Sequence, residues 1–176
     1  MQILILSDTH GRADLIDEVL GKTRPDLILY CGDGLRDLTN LSSHIPCPLY
    51  AVKGNCDLMP PPLSCVNSPI SEEILIPIED NMKVLLTHGH TYFVKYGLNA
   101  LVERAAAMGA DAVIFGHTHK QVNTVLMPND ESRFPDTART KPLHLFNPGS
   151  LGHAPHTFGI LTLRHGVPLF SHGALE

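Results

Sequence analysis

The sequence predicts an α/β fold in which two β-sheets pack together between outer helices. Apolar runs typical of strands alternate with helical periodicity along the first two thirds of the chain, and strands alone follow in the last third. The 176 residues contain no internal repeat and no linker, and this length suits one domain around one core. We therefore expect residues 1–176 to form a single domain.

The first strands are continuous apolar runs, as expected for strands that are buried on both faces. Such runs cover Ile3 to Leu6 and Leu27 to Tyr30, and apolar side chains recur at helical spacing over residues 15–20 between them. A second helix is predicted over Leu35 to Ser43 and a third strand over Leu49 to Lys53. The order of these elements is that of successive βαβ units.

The middle of the chain predicts a hairpin, a helix and a further strand. Ile74 to Ile78 and Met82 to Thr87 flank a short polar break that suits a hairpin. An alanine-rich helix over residues 98–108 ends at Gly109, and Ala112 to Phe115 forms another buried strand.

The last third predicts short strands. They cover Gln121 to Met127, Leu143 to Phe146, Phe158 to Leu163 and Val167 to Ser171, with a tight turn at His165-Gly166. The polar segment Pro128 to Pro142 is predicted to be a long hairpin tip, which is either inert, the reading we favour, or part of a substrate rim.

Composition and charge exclude some classes of function. The formal charge is −5, and no run of Lys or Arg is long enough to follow a nucleic-acid backbone, so non-specific nucleic-acid binding is not expected. The four cysteines form no CxxC pair and no disulfide framework, which favours a reducing compartment. We expect a cytoplasmic protein, because we find neither a signal sequence nor a segment of ~20 apolar residues that could span a membrane.

Polar residues follow five of the apolar runs directly. They are Asp8, Asp33, Asn55, His88 and His117. Each alone has an ordinary explanation, such as a helix cap or a turn residue. Together they indicate a site, because ligands bind in the crevice outside the carboxyl ends of the strands of α/β sheets.

The donor types indicate a metal centre. With His10 and His119 the set holds two carboxylates, one carboxamide and four imidazoles, too many for one tetrahedral zinc. Seven ligands suit two metals if one carboxylate bridges them. Two divalent ions, two Asp carboxylates and a hydroxide leave about one net positive charge, which attracts phosphate.

Five motifs carry a resemblance to a known family. SDTHG at 7–11, GDG at 32–34, GNCD at 54–57, THGH at 87–90 and GHTH at 116–119 occur in that order. They resemble the motifs of the calcineurin-like metallophosphoesterase superfamily, and the small size and GNCD resemble its YfcE-type bacterial phosphodiesterase branch. The resemblance spans residues 3–150, including Asn147-Pro148-Gly149-Ser150.

The resemblance implies a four-layer α/β sandwich of two mixed sheets and a dinuclear site. It implies Asp8, His10 and His119 on one metal, Asn55, His88 and His117 on the other, and Asp33 between them. Mn²⁺ is the ion it favours, with Ni²⁺, Zn²⁺, Fe²⁺ or Mg²⁺ left open. The candidate catalytic residues are Asp33, Asn55, Cys56 and His88.

The function expected from this site is hydrolysis of small phosphate esters, most plausibly diesters, by a hydroxide that bridges the two metals. A phosphomonoesterase or nucleotide hydrolase is the alternative among enzymes, and a non-catalytic scaffold of the retromer type is the alternative outside them. Scaffold members have degraded metal sets, whereas all seven positions are filled here. Homo-oligomerisation stays open.

Cys56 departs from the commonest superfamily pattern, in which a His contacts the phosphate at this position. A thiol with an ordinary pKa of ~8.5 is a poorer acid at neutral pH than imidazolium. We therefore predict a preference for substrates with good leaving groups. The alternative is that Cys56 only packs in a tight loop.

Residues around the site are given supporting roles. His90 and Asp57 are expected to orient ligands, Thr9 to shape its loop and Arg12 to reach either solvent or a phosphate oxygen. Asn147, Gly149 and Ser150 are expected in a loop beside the site, and Met59 to Pro62 in a stiff connection across its mouth. The histidines without a motif are treated as surface or packing residues: His44, His144, His153, His156, His165 and His172.

Overall fold

Two five-stranded sheets stack face to face in the computed structural model, which describes residues 1–41, 45–128 and 140–175. The strands in chain order are β1 (Gln2–Leu6), β2 (Leu27–Tyr30), β3 (Leu49–Ala51), β4 (Glu73–Pro77), β5 (Lys83–Thr87), β6 (Ala112–Ile114), β7 (Gln121–Leu126), β8 (Leu143–Pro148), β9 (Thr157–Arg164) and β10 (Val167–Ala174). The helices are α1 (Ala13–Lys22), α2 (Asp37–Leu41) and α3 (Asn99–Ala107).

Both sheets are mixed, and each has a parallel centre. The first has the order β10-β9-β1-β2-β3, with β1, β2 and β3 parallel and β9 antiparallel to β1. The second has the order β4-β5-β6-β8-β7, with β5, β6 and β8 parallel. The parallel strands of a sheet carry their carboxyl ends to one edge, where the loops that follow them meet.

Side-chain alternation along the strands builds four layers. In β1, Ile3 and Ile5 belong to the core between the sheets, together with Val84 of β5. Leu4 faces the other way and packs in a second cluster with α1 and α2. Leu85 of β5 likewise packs in a third cluster with α3. The layers are therefore helices, sheet, sheet and helix, and the predicted four-layer α/β sandwich is confirmed.

Two predicted elements are shorter than the sequence pattern indicates. The helix predicted over Leu35 to Ser43 begins at Asp37, because the Leu35 N–H donates to Asp57 Oδ1 at 2.9 Å instead; residues 42–44 lie outside the described part. The strand predicted through Lys53 ends at Ala51, since β2 has already turned at Gly32 (φ 92°) and the Lys53 N–H donates to Ser71 O.

The remaining elements follow the prediction within a few residues. β4 and β5 form the predicted hairpin around a 3-10 turn at Glu79–Asn81. His165 (φ 51°) and Gly166 (φ 75°) make the tight turn between β9 and β10. Of the segment 128–142, predicted as a hairpin tip, residues 129–139 lie outside the described part. Within the described residues, no helix combines the length and apolar character needed to cross a membrane.

Candidate metal centre

The carboxyl edges of the two sheets meet, and the seven predicted ligands lie in the loops at this junction. Asp8 and His10 follow β1, Asp33 follows β2, Asn55 follows β3, His88 follows β5, and His117 and His119 follow β6. The structure therefore brings together side chains that are up to 111 positions apart in the chain, from Asp8 to His119.

One group of donors surrounds the buried ring of His88. Its Nδ1 lies 2.8 Å from Cys31 O, and since a carbonyl cannot donate, Nδ1 carries the proton. Its Nε2 lies 3.2 Å from Asn55 Oδ1, 3.2 Å from His117 Nδ1 and 3.4 Å from Asp33 Oδ2. A proton on Nε2 would satisfy one of these three neighbours, whereas one divalent cation would satisfy all of them.

A second group surrounds the fully buried carboxylate of Asp8. Its Oδ2 accepts from Ser7 Oγ at 2.5 Å and from the His117 N–H at 3.1 Å, but Oδ1 has no hydrogen-bond partner among the described residues. His119 Nε2 lies 3.2 Å and His10 Nε2 3.8 Å from Oδ1. Leaving a buried carboxylate oxygen unsatisfied is costly. A cation held between Asp8, His10 and His119 would remove that cost, so the donors fit a metal.

Asp33 lies between the two groups. One cluster of donor atoms within 4.8 Å of each other joins Asp33 to His88 and His117, and another joins Asp33 to His10 and Cys56. Two ligands at about 2.1 Å from one ion lie at most about 4.2 Å apart, so small side-chain movements would complete the coordination.

The backbone of the ligand loops is strained. Asp8, His10, Asp33, His117 and His119 all have positive φ, between 47° and 64°. Non-glycine residues rarely adopt this conformation, and each instance costs on the order of 1–3 kcal/mol. Strain of this kind persists where a site requires it, and five of the seven predicted ligands carry it.

Local charges favour the metal-binding forms of Asp33 and His117. Burial alone would raise the pKa of Asp33, but hydrogen bonding and charge from His88, with the Cys56 N–H, hold it below its usual value. Burial, the charge of His88 and that of Lys95 lower the pKa of His117 to about 4. Metal binding requires ionised carboxylates and neutral imidazoles. The shifts of Asp33 and His117 favour these forms, whereas for His88 burial is outweighed by the hydrogen bond and charge of Asp33 and by the charge of Asp8, which raise its pKa.

Asp57 fixes the loops that carry Asp33 and Asn55. Its buried carboxylate accepts four backbone N–H bonds at 2.7–3.0 Å, from Asp33, Gly34, Leu35 and Gly54. A Cβ on Gly54 would lie 2.0 Å from Asp33 Oδ1, so only glycine allows the two loops to approach this closely. This is the orienting role that the sequence predicts for Asp57.

Thr9 and Arg12 lie around the first ligand loop. Thr9 Oγ1 shares a buried network with Tyr30 Oη, at 2.5 Å, and with the Asp37 carboxylate, which also accepts the Gly11 N–H. Thr9 thus shapes its loop. Arg12 is partly exposed and binds Asp14 through Nε at 2.9 Å and Nη2 at 2.8 Å, which directs its side chain to Asp14 rather than to the donors.

His90 and Asn147 hold positions next to the donors. The ring of His90 lies 5.4 Å from that of His88, and its Nε2 is 3.3 Å from Glu72. Asn147 Nδ2 donates to Gly116 O at 2.8 Å, and Oδ1 accepts the Gly149 N–H at 2.9 Å. Asn147 therefore fixes backbone turns rather than pointing a donor at the site.

His153 is placed differently from the sequence interpretation, which treats it as a surface or packing residue. It is exposed, but its ring lies 5.1 Å from that of His10 and 4.8 Å from that of His119. The three rings have donor nitrogens within 4.8 Å of one another. His153 follows no apolar run, so strand-end logic misses it; the available signal was its position three residues after Ser150, in a loop expected beside the site.

Among the described residues, the other histidines without a motif are not part of this cluster. The His172 ring stacks on Phe146 and the His144 ring packs against Phe170. His156 Nδ1 bonds to Leu151 O at 2.9 Å, and His44 lies outside the described residues.

A cavity of about 600 Å³ adjoins the donors. Asp33, His10 and Cys56 line one part of it, and Arg36 also borders it. The exposed side chains of Leu58 and Met59 line the rest together with Pro60, so the proline-rich connection does lie at the mouth of the site. A cavity of this size accommodates a small organic ester.

Two proteins of known family and one solved structure are similar to most of this chain. A probable metallophosphoesterase of Bacillus subtilis, YsnB, is 33% identical over 150 residues, which are 80% of this chain and 80% of that protein. A phosphodiesterase of Methanocaldococcus jannaschii is 31% identical over 136 residues, 69% of this chain and 75% of that protein. The structure of wild-type Vps29 from Entamoeba histolytica, complexed with Zn²⁺, covers 99% of both chains with a TM-score of 0.65 at 20% identity, which shows a common fold.

The family follows from a match over nearly the whole chain. The sequence profile of the calcineurin-like phosphoesterase superfamily domain matches residues 1–166. That range contains all seven predicted ligands and the strands that precede them, and membership implies a metal-dependent phosphoesterase. The chain belongs to the calcineurin-like phosphoesterase superfamily.

Proposed function

We propose that the chain hydrolyses small phosphate diesters at a dinuclear metal centre. The observation that carries the proposal is that Asp33 shares one cluster of donor atoms with His88 and His117 and another with His10 and Cys56, each with donor atoms within 4.8 Å of one another. The relative from Methanocaldococcus jannaschii that is named a phosphodiesterase supports the diester. Mn²⁺ is the ion we propose, with Ni²⁺, Zn²⁺, Fe²⁺ or Mg²⁺ as candidates.

Each donor has a role in the proposal. Asp8, His10 and His119 hold one ion, Asn55, His88 and His117 hold the other, and Asp33 binds both. Two such ions supply a nucleophile at neutral pH, because they lower the pKa of a bound water, and they neutralise charge on the phosphoryl group. Cys31 O fixes the tautomer of His88, and the adjoining cavity receives the ester.

The alternatives have weaker support. A phosphomonoesterase or nucleotide hydrolase would use the same donors, and the relative named a phosphodiesterase favours the diester over both. The fold shared with Vps29 gives some support to a non-catalytic scaffold. The complete set of seven donors favours the enzyme, because a scaffold has no need for five strained ligand positions. Cytoplasmic location and homo-oligomerisation remain proposals from the sequence.

Hydrolysis of bis(p-nitrophenyl) phosphate and of p-nitrophenyl phosphate tests the proposal. We expect chelator to abolish diester hydrolysis and Mn²⁺, Ni²⁺, Mg²⁺ or Zn²⁺ to restore it to different extents. Asp33→Asn should lower the rate of diester hydrolysis by more than the roughly 10–100-fold that is typical when a residue supporting a ligand is replaced. Asp14→Asn is the matched control, because among the described residues this exposed carboxylate forms an ion pair only with Arg12.

Two results would change the conclusion. Activity that survives both chelator and Asp33→Asn would end the two-metal proposal. A higher kcat/KM for the monoester than for the diester would favour the phosphomonoesterase instead.

A further inference from the structure

The turn after β8 holds His153 against the first ligand loop. The Gly152 N–H donates to Asp8 O at 2.9 Å and the Leu151 N–H to Ser7 O at 3.0 Å. A Cβ on Gly152 would lie 2.3 Å from Thr9 O, so glycine is required for this approach. The backbone of His153 is thus fixed beside the loop that carries Asp8 and His10.

The hydrogen bonds of Ser150 fix the tautomer of His153. Ser150 Oγ donates its single proton to Asp8 O at 2.9 Å. The contact of 3.1 Å between Ser150 Oγ and His153 Nδ1 therefore has Nδ1–H as its donor. The lone pair of the neutral ring is then on Nε2, as it is in His88. Histidines that bind metals usually donate their other N–H in this way.

The distances fit a ligand of the metal at Asp8. His10 Nε2 and His119 Nε2 lie 3.4 Å apart, as two ligands of one ion would. A nitrogen of His153 lies within 4.8 Å of theirs, a limit close to the ~4.2 Å that one ion allows. We propose that His153 is a further ligand of the ion held by Asp8, His10 and His119, an inference that rests on the proposed dinuclear centre.

An added imidazole makes the two half-sites chemically different. The half-site at Asp8 would offer three imidazoles, whereas the half-site at His88 offers two and the carboxamide of Asn55. Imidazole favours Zn²⁺, Ni²⁺ and Co²⁺ over Mg²⁺, which prefers oxygen. The half-site at Asp8 is therefore selective for these ions, and one position on its metal is closed to substrate.

Titration of the chelator-treated full chain with Co²⁺, followed by calorimetry and by the visible absorption of bound Co²⁺, tests the inference. In His153→Ala, we expect one of two Co²⁺ ions to bind at least about tenfold more weakly, with a changed visible spectrum, while the other is unaffected. Mg²⁺ affinity should change much less. His153 is exposed, so the variant should fold like the wild type, and far-UV circular dichroism checks this.

His156→Asn is the matched control. His156 lies in the same loop but bonds to Leu151 O, and asparagine tolerates its positive φ of 52°. We expect this variant to bind Co²⁺ like the wild type. Ser150→Ala should give a smaller loss than His153→Ala, because it removes the hydrogen bonds that orient His153 and leaves the imidazole itself in place.

Three outcomes would overturn the inference. Unchanged Co²⁺ affinity and spectrum in His153→Ala would show that His153 is not a ligand. An equal loss in His156→Asn would assign the effect to the loop. A wild-type chain that binds fewer than two Co²⁺ ions would refute the proposed function itself, whereas two ions bound equally well without His153 would refute only this inference.

Discussion

At the scale of single residues, Cys56 contacts two of the predicted ligands, Asp33 and Asn55. Its N–H donates to Asp33 Oδ1 at 2.7 Å, and its Sγ accepts from Asn55 Nδ2 at 3.3 Å. Partial burial, the hydrogen bond to Asp33 and the charge of this carboxylate raise the pKa of the thiol to about 11. In the metal-free chain the thiol therefore holds its proton more tightly than an ordinary cysteine does.

Replacing Cys56 tests the predicted preference for good leaving groups. We expect Cys56→His to raise kcat on phenyl or alkyl phosphate diesters, because imidazolium can protonate a poor leaving group; positioned acids contribute up to roughly 10²–10⁴-fold. Nitrophenyl diesters, which need no proton, should gain little. Cys56→Ser keeps the size of the side chain and should behave like the wild type on both. The packing-only alternative would be favoured if Cys56→His gave no gain on the poorer substrates.

The residue scale also shows what sequence logic finds and what it misses. Asp8, Asp33 and His88 follow buried strands, and the position of a parallel strand fixes where its next residues lie. His153 reaches the same place through a loop, by a close approach of Gly152 to Thr9 that no local pattern encodes. Its distance from Ser150 places it near the site, but its contact with the donor rings depends on tertiary structure.

At the scale of elements, strands that are buried on both faces were the most predictable. β1 and β2 are continuous apolar runs, and the structure begins and ends them within one residue of the prediction. β10 extends to Ala174, beyond the predicted Ser171, because pairing with β9 continues after the apolar pattern stops. Hydrogen bonding between strands determines where a strand ends, and the apolar pattern of the sequence does not predict this bonding.

Glu73 joins β4 to the helix layer and gives a prediction on pH. Its carboxylate accepts from Arg104 Nε at 3.0 Å and from Tyr92 Oη. Burial opposes ionisation, but these partners outweigh it and lower the pKa of Glu73. A depressed folded-state pKa stabilises the fold above the unfolded pKa of ~4.3, and this contribution is lost as pH falls through the folded value.

Glu73→Gln should therefore lower the free energy of unfolding at pH 7 by about 0.5–1 kcal/mol, since the pair is partly exposed, and should have a smaller effect at pH 3. Urea unfolding at the two pH values measures the difference. Glu103→Gln on α3 makes the same charge change and should be nearly neutral at both. Equal losses at both pH values would mean that Glu73 contributes packing rather than an ionised contact.

At the scale of the whole molecule, the donor site connects the two sheets. Asp8, Asp33 and Asn55 follow strands of the first sheet, whereas His88 and His117 follow strands of the second. Each donor group contains members from both. Bound ions would therefore cross-link the two halves of the sandwich, and the apo protein would instead hold an unpaired Asp8 oxygen at their junction.

Metal binding should accordingly raise Tm. An ion at a hundred times its Kd stabilises the folded state by about 2.7 kcal/mol, which corresponds to a rise of roughly 5–10 °C for a chain of this length. Far-UV circular dichroism suits the measurement, since the chain has no Trp. We expect Mn²⁺ to raise Tm above that in chelator, and NaCl of equal ionic strength to leave it unchanged.

Asp8→Asn separates ligand function from stability. The amide oxygen can keep the bonds from Ser7 and His117, and the amide N–H can donate to His119 Nε2, which lies 3.2 Å from Oδ1. Replacing a buried carboxylate whose Oδ1 lacks a hydrogen bond with a neutral amide that makes one should raise Tm in chelator, because the desolvation cost of the charge is removed. In the same variant, Mn²⁺ should raise Tm much less than it does in the wild type. A lower Tm in chelator, or a rise in Tm with Mn²⁺ equal to that of the wild type, would mean that Asp8 is not a preorganised metal ligand.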